Sequence, residues 1–237
     1  MYELGYLKPV PEFAIFADTQ AEPNEVYKFL NKLQNEIKSF PIYIATAGNL
    51  LDRPDKIPFF IKNENGELGM GWRQCTLDFK IRVVKKKMRE LLGYRPRQRM
   101  KHKIEMVMGI SWDERSRVKE AKEKWQTNIY PLVEMEATRQ DCLDFCKDIN
   151  VIPPRSACFI CPYRTKREWG IMKKENPKEF EAACLYDEKL RQEGGDKYKF
   201  PRYISRELRP LREVDFISED DLIKYGFENE CEGMCGV

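Results

Sequence analysis

Apolar positions along the chain fall into short unbroken runs and longer stretches at helical spacing. Residues 13–17 form a run that stops on Asp18, Thr19 and Gln20, a pattern that predicts a buried strand. After Pro23 and Asn24, the residues Val26, Leu30, Leu33 and Ile37 recur on one helical face. Residues 41–45 predict a second strand closed by Gly48 and Asn49. Residues 51–71 read as an irregular excursion with a hairpin turn at Asn65-Gly66. Ile81, Val84, Met88, Leu91 and Leu92 mark a further helix. A third strand is expected at 104–108, a charged helix up to Trp125, and a fourth strand at 130–133. Thr138 with Asp141 predicts a capping box for a helix carrying Cys142 and Cys146. Strand and helix in this alternation predict an α/β fold, a parallel sheet with helices on both faces. Ligands of such sheets bind beyond the carboxyl ends of the strands, which puts Asp18, Asn49, Asp113, Glu114 and Glu134 on one rim. The last third is Cys- and Pro-rich, then helical, so the expected division is an α/β domain over 1–150 and a Cys-rich, mainly helical lobe over 151–237.

Composition narrows the chemistry. Of 237 residues 12% are aromatic, which argues against a disordered chain, and no long uncharged apolar run predicts a membrane span. The first residues carry neither a basic leader nor an apolar signal core, so a cytoplasmic protein is expected. Eight cysteines in such a compartment predict metal ligands or reactive thiols rather than disulfides. The single histidine, His102, leaves little room for a Ser-His-Asp triad or an imidazole-rich zinc site. The net charge of +3 hides an asymmetry: residues 80–103 hold eleven Lys and Arg against Glu90 alone, so the rest of the chain sums to about −7. A block of that sign attracts RNA or DNA, with Lys85, Lys86 and Lys87 its densest part, although a solvated helix face explains it equally well.

Cys158-Phe-Ile-Cys161, followed by Pro162, is the strongest local signal. Two thiolates two residues apart aim both sulfurs at one point and suit an iron–sulfur cluster or zinc. Cys75 and Cys142 are the further ligand candidates, and Cys231 and Cys235 form a second pair near the end. Cys184, within an apolar helix, reads as a small core residue. Arg73, Arg115, Arg117, Arg139 and Arg155 stand beside expected strand ends or loops, where guanidinium groups clamp phosphate. Gly66-x-x-Gly69-x-Gly71 reads as turn chemistry, because no Lys-Ser follows and it does not join a strand to a helix.

Seven ordered motifs carry a resemblance. They are Ile15-Phe-Ala-Asp-Thr-Gln-Ala-Glu-Pro23; Ala47-Gly-Asn-Leu50; Arg73-Gln-Cys-Thr76 with Phe79-Lys-Ile81; Gly109-Ile-Ser-x-Asp-Glu-x-x-Arg117; Pro131-Leu with Arg139-x-Asp-Cys142; Pro153-Pro-x-Ser-x-Cys-x-x-Cys-Pro-Tyr163 with Trp169; and the closing Glu-Cys-Glu-Gly-Met-Cys-Gly-Val. With them the chain resembles the phosphoadenosine-phosphosulfate-reductase-like proteins of the PP-loop, adenine-nucleotide α-hydrolase-like group, common in phages and bacteria. The resemblance implies a three-layer α/β/α nucleotide-binding fold and sulfonucleotide or ATP-dependent thiolation chemistry, of sulfurtransferase type, with Mg as a further cofactor. It implies catalytic roles for Asp18, Arg73, Asp113 and Glu114, and nucleotide or substrate binding by Asn49, Arg115, Arg117 and Arg139. The implied metal ligands are Cys75, Cys142, Cys158 and Cys161. The alternative is an inactive module, stapled by zinc or a cluster, that binds nucleic acid.

Two departures stand beside the match. Relatives begin with a strand and an S-x-G-x-x-S loop whose amides cradle phosphate. Here Met1-Tyr-Glu-Leu-Gly5 resembles the helix after that loop, so the loop is expected from upstream sequence or another chain, or is dispensed with. Ser205 occupies a position where relatives tend to carry His.

Overall fold

A computed structural model describes residues 1–62, 64–192 and 200–216. Cys231 and Cys235 lie outside the described residues. The chain is mixed α/β. The first run forms β1 (Ala14–Asp18), the amphipathic stretch forms α1 (Asn24–Glu36), and the second run forms β2 (Ile42–Thr46), parallel to β1 from Ala14 opposite Ile42 to Asp18 opposite Thr46. An antiparallel hairpin of β3 (Phe60–Lys62) and β4 (Leu68–Met70) follows, turning where Gly66 supplies a φ of +81°. A π-helical turn at Thr76–Ile81 leads into α2 (Arg82–Leu91), which packs on β1 and β2. Val83 and Met88 carry its buried face, with Val84 only half-buried.

The second parallel pair joins β5 (Ile104–Val107) to β6 (Gln126–Ile129). Two expectations are corrected here. Residues 130–133 do not form the fourth strand; that strand is the more polar β6, and Pro131, with its fixed φ, opens the short helix α3 (Pro131–Glu134) instead. The charged helix up to Trp125 is absent. Only a 3₁₀ turn, Trp112–Arg117, forms, and Val118 is extended beyond it. The Tyr130 hydroxyl pins the following residue, donating to Lys119 O at 2.6 Å and accepting from Lys119 N at 3.1 Å. Residues 1–5 likewise form turns rather than a helix.

Among the described residues the strands form three separate two-stranded sheets. Parallel pairing with helices against it agrees with the expected class at the level of mixed α/β. The remaining helices are α4 (Arg139–Asp148), α5 (Lys166–Glu175) and α6 (Pro177–Gln192). The capping boxes Thr138–Asp141 and Thr165–Glu168 start α4 and α5 by satisfying backbone donors in the first turn.

One apolar cluster joins the first third of the chain to its last described third. Leu50, Ile57, Phe59 and Phe79 meet Ile160, Trp169, Phe180, Leu190, Ile204 and Leu211, so residues on both sides of position 150 share it. Cys184 is a core residue, 1% exposed. Asp187, fully buried on α6, ties the last described segment to this core. Its carboxylate accepts from Ile204 N and Leu211 N, both at 2.9 Å, and pairs with Arg191. A buried charge held by two amides and a guanidinium has its desolvation offset.

Candidate functional site: a thiol-lined cleft at the end of β1

Just past the carboxyl end of β1 three stretches of chain are bolted together. Leu50 N donates to Thr19 O at 2.9 Å, joining the turn after β2 to the end of β1. Phe159 N donates to Ala21 O at 2.9 Å, bringing the Cys-Phe-Ile-Cys turn to the same place. That turn is closed by Cys161 N donating to Cys158 O at 3.0 Å, and the Arg164 guanidinium donates to Ala157 O and Cys158 O at 3.0 and 3.3 Å. Burial lowers the Arg164 guanidinium to about 10. Its donors replace the missing water around those carbonyls.

The result is a shallow cleft of about 40 Å³, open to solvent, where Cys75, Cys158 and Cys161 share the lining with Arg73, Lys80 and Tyr163. The lining contains two cations and no carboxylate. The Arg73 guanidinium lies 5.0 Å from the centre of the Tyr163 ring, a cation–π contact that fixes its direction. Cys75 and Lys80 flank and occupy the π-helical turn, a geometry frequent at functional sites.

Beneath the lining Cys158 belongs to a buried polar group. Thr19 Oγ1 donates to Glu22 Oε1 at 3.0 Å and lies 3.3 Å from Cys158 Sγ, which itself donates to Glu22 Oε1 at 3.5 Å. Lys80 Nζ stands 3.9 Å from the same carboxylate, whose side chain is 1% exposed. Glu22 Oε2 has no hydrogen-bond partner among the described residues. Burial, then the Glu22 charge, pushes the Cys158 thiol up to about 12, and burial raises Cys75. Both therefore rest as neutral thiols.

The other expected site residues go elsewhere. Asp18 turns away, its Oδ1 accepting from Tyr27 Oη and Gln20 N, both at 2.8 Å. Asn49 caps the 3₁₀ turn Leu50–Asp52, accepting from Leu51 N at 2.9 Å. A second group gathers beyond β5. Asp113 accepts from Arg139 N at the start of α4, Glu114 pairs with Arg117 at 2.5 Å, and Arg115 lies 4.7 Å over the Trp112 ring. Cys142 belongs with this second group: burial raises its thiol, followed by the charges of Cys146, Asp141 and Asp113. It does not line the cleft. Ser205 is buried and accepts from Glu207 N at 3.2 Å, a turn contact. On α2, Lys85 pairs with Glu123 and Lys87 with Glu90 at 2.9 Å, leaving Lys86 as the exposed member of the three.

Thr19, Glu22 and Lys80 are the parts that sequence reasoning passed over. Glu22 stood in a quoted motif and Lys80 in the basic block, but only the fold brings both to Cys158. No family model, curated protein or solved structure matches the chain.

Proposed function

We propose that the chain is a PP-loop-like nucleotide-binding protein in sulfonucleotide or ATP-dependent thiolation chemistry, with the thiol cleft as its reaction centre. The observation that carries this reading is the convergence of Cys75, Cys158 and Cys161 with Arg73 and Lys80 in one lining free of carboxylates. Thiols handle sulfur or a soft metal, and the two cations suit the phosphate or sulfate of a nucleotide. The seven motifs support the same class.

A cysteine-bound iron–sulfur or zinc centre belongs to this reading. The donor chemistry fits in part: three of the four expected thiols share the cleft, and Cys142 does not. Among the described residues no three cysteine, histidine or carboxylate side chains stand ready-formed around one point. Cys75, Cys158 and Cys161 share the cleft without meeting at one point and would have to close together to hold such a centre, which when bound would supply a thiophilic site and keep its thiols deprotonated. The chain's own residues perform the rest. Arg73 and Lys80 draw in and orient the anion, Thr19 and Glu22 fix the Cys158 sulfur, and the apolar walls at Ile57 and Ile160 limit water.

Calorimetric titration with adenosine phosphosulfate and with ATP–Mg tests the proposal. The wild-type chain is expected to bind one of the two, and Arg73→Ala to weaken that binding about tenfold, as for loss of one charge-assisted contact. Failure of both nucleotides to bind would overturn it.

A further inference from the structure

Beside the cleft stands an aromatic side chain that neither the core nor the chemistry above uses. Trp72 is 85% exposed, an unusual state for the largest apolar residue. It does not hang from a loose loop. Gly71 N donates to Phe59 O at 2.8 Å, and the backbone there lies so close that a Cβ on Gly71 would sit 2.8 Å from the Phe59 ring. On the other side Gln74 N donates to Lys56 O at 3.2 Å, and Lys56 Nζ returns a bond to Gln74 Oε1 at 2.7 Å. The stretch that presents Trp72 is thus fixed at both ends.

Its neighbours define what it can receive. Leu68 and Met70 of β4, at alternate positions before Trp72, are 49% and 37% exposed, and alternation along a strand puts such positions on one face. The next residue, Arg73, turns into the cleft against Tyr163. Lys80, in the turn that leads into α2, lines the same cleft, so a second cationic side chain stands near Arg73. An aromatic and apolar strip edged by cations is the arrangement that binds single-stranded nucleic acid, with bases on the π-faces and phosphates on the cations. A protein partner with an apolar patch would not draw on the cations. A free nucleotide would leave Leu68 and Met70 unused.

From this we infer that the rim formed by Leu68, Met70 and Trp72 is the docking strip for a single-stranded nucleic acid. One base stacks on Trp72, and the adjoining phosphate is held by Arg73 at the mouth of the thiol cleft. The strip thereby brings one nucleotide of the strand to the thiols. The inference rests on the cleft being the functional site, but not on a metal or on nucleotide activation.

Fluorescence anisotropy with the full chain tests it, using labelled 12-residue single-stranded RNA and DNA, the corresponding duplexes, and unlabelled AMP as competitor. Single strands of at least one of the two sugars are expected to bind more tightly than either duplex. Trp72→Ala should weaken that binding about tenfold or more, the range for one stacked base, while Trp72→Phe retains most of it. Arg73→Ala should lower the log–log salt slope by about 0.7, as for one phosphate on a single strand. Undiminished binding by Trp72→Ala, tighter binding of a duplex, or AMP displacing the strand at equal concentration would each overturn the inference. Absence of strand binding would overturn it as well, while the response to adenosine phosphosulfate would still report on the proposed activity separately.

Discussion

At the scale of single residues, environment decides what each cysteine can do. Six cysteines stand in the described residues as free thiols, and their settings differ sharply. Cys184 is packed on α6 in the apolar core, and burial pushes its thiol from the ordinary 9.0 up to about 11. A neutral thiol favoured by the fold contributes stability that is complete below pH 9 and is lost as pH rises through 11. Iodoacetamide labelling followed by mass spectrometry should therefore leave Cys184 and Cys158 unmodified in the native protein at about pH 8, because the thiolate is the reactive form and both are buried. Labelling of Cys184 in the native chain as fast as in the denatured chain would refute this. The identity of Cys184 as a core residue was readable from its apolar neighbours in sequence. The Cys158–Glu22 contact was not, because it joins positions 136 residues apart through the return of the Cys-Phe-Ile-Cys turn to β1.

At the scale of elements, the patterns that carry a local physical mechanism were legible. β1, α1 and β2 follow from apolar runs and helical spacing, the turn at Gly66 from Asn-Gly, and the start of α4 from its capping box. Elements defined by long-range pairing were not. β6 has little apolar character and exists because its backbone pairs with β5, from Ile104 opposite Gln126 to Val107 opposite Ile129. The role of Gly71 likewise came from close packing rather than from its place in a glycine series. Its hydrogen atom is all that fits against Phe59, and Gly71→Ala is expected to cost about 1–3 kcal/mol, as overpacking does. Urea denaturation would register it as a lower midpoint. A midpoint equal to that of the wild type would mean that Gly71 does not lie against Phe59 as described.

At the scale of the molecule, the fold sorts the expected site residues into two groups. Arg73, Cys75, Cys158 and Cys161 meet in the cleft beyond β1, whereas Asp113, Glu114, Arg115, Arg117, Arg139 and Cys142 gather beyond β5 or on α4. The rule that ligands bind at strand ends put Asp18, Asn49, Asp113, Glu114 and Glu134 on one rim, and none of these lines the cleft. It could not separate the two groups, because one continuous sheet was expected and two parallel pairs are found. The described residues include no helix long and apolar enough to cross a membrane. The basic block also changes meaning at this scale. Lys85 and Lys87 are engaged with Glu123 and Glu90, and Lys80 faces Glu22 at 3.9 Å, so cationic capacity next to the cleft rests more on Arg73 than on the density of lysines in sequence.

We propose that the three thiols of one cleft, and not Cys142, form the working centre. Metal and acid-labile sulfide should be measured on protein purified without oxygen, for the wild type and for Cys75→Ser, Cys158→Ser, Cys161→Ser and Cys142→Ser. The wild type and Cys142→Ser are expected to carry the same stoichiometric iron or zinc, and each of the other three to lose most of it. A metal-free wild type, or loss of metal in Cys142→Ser with retention in Cys158→Ser, would contradict the account.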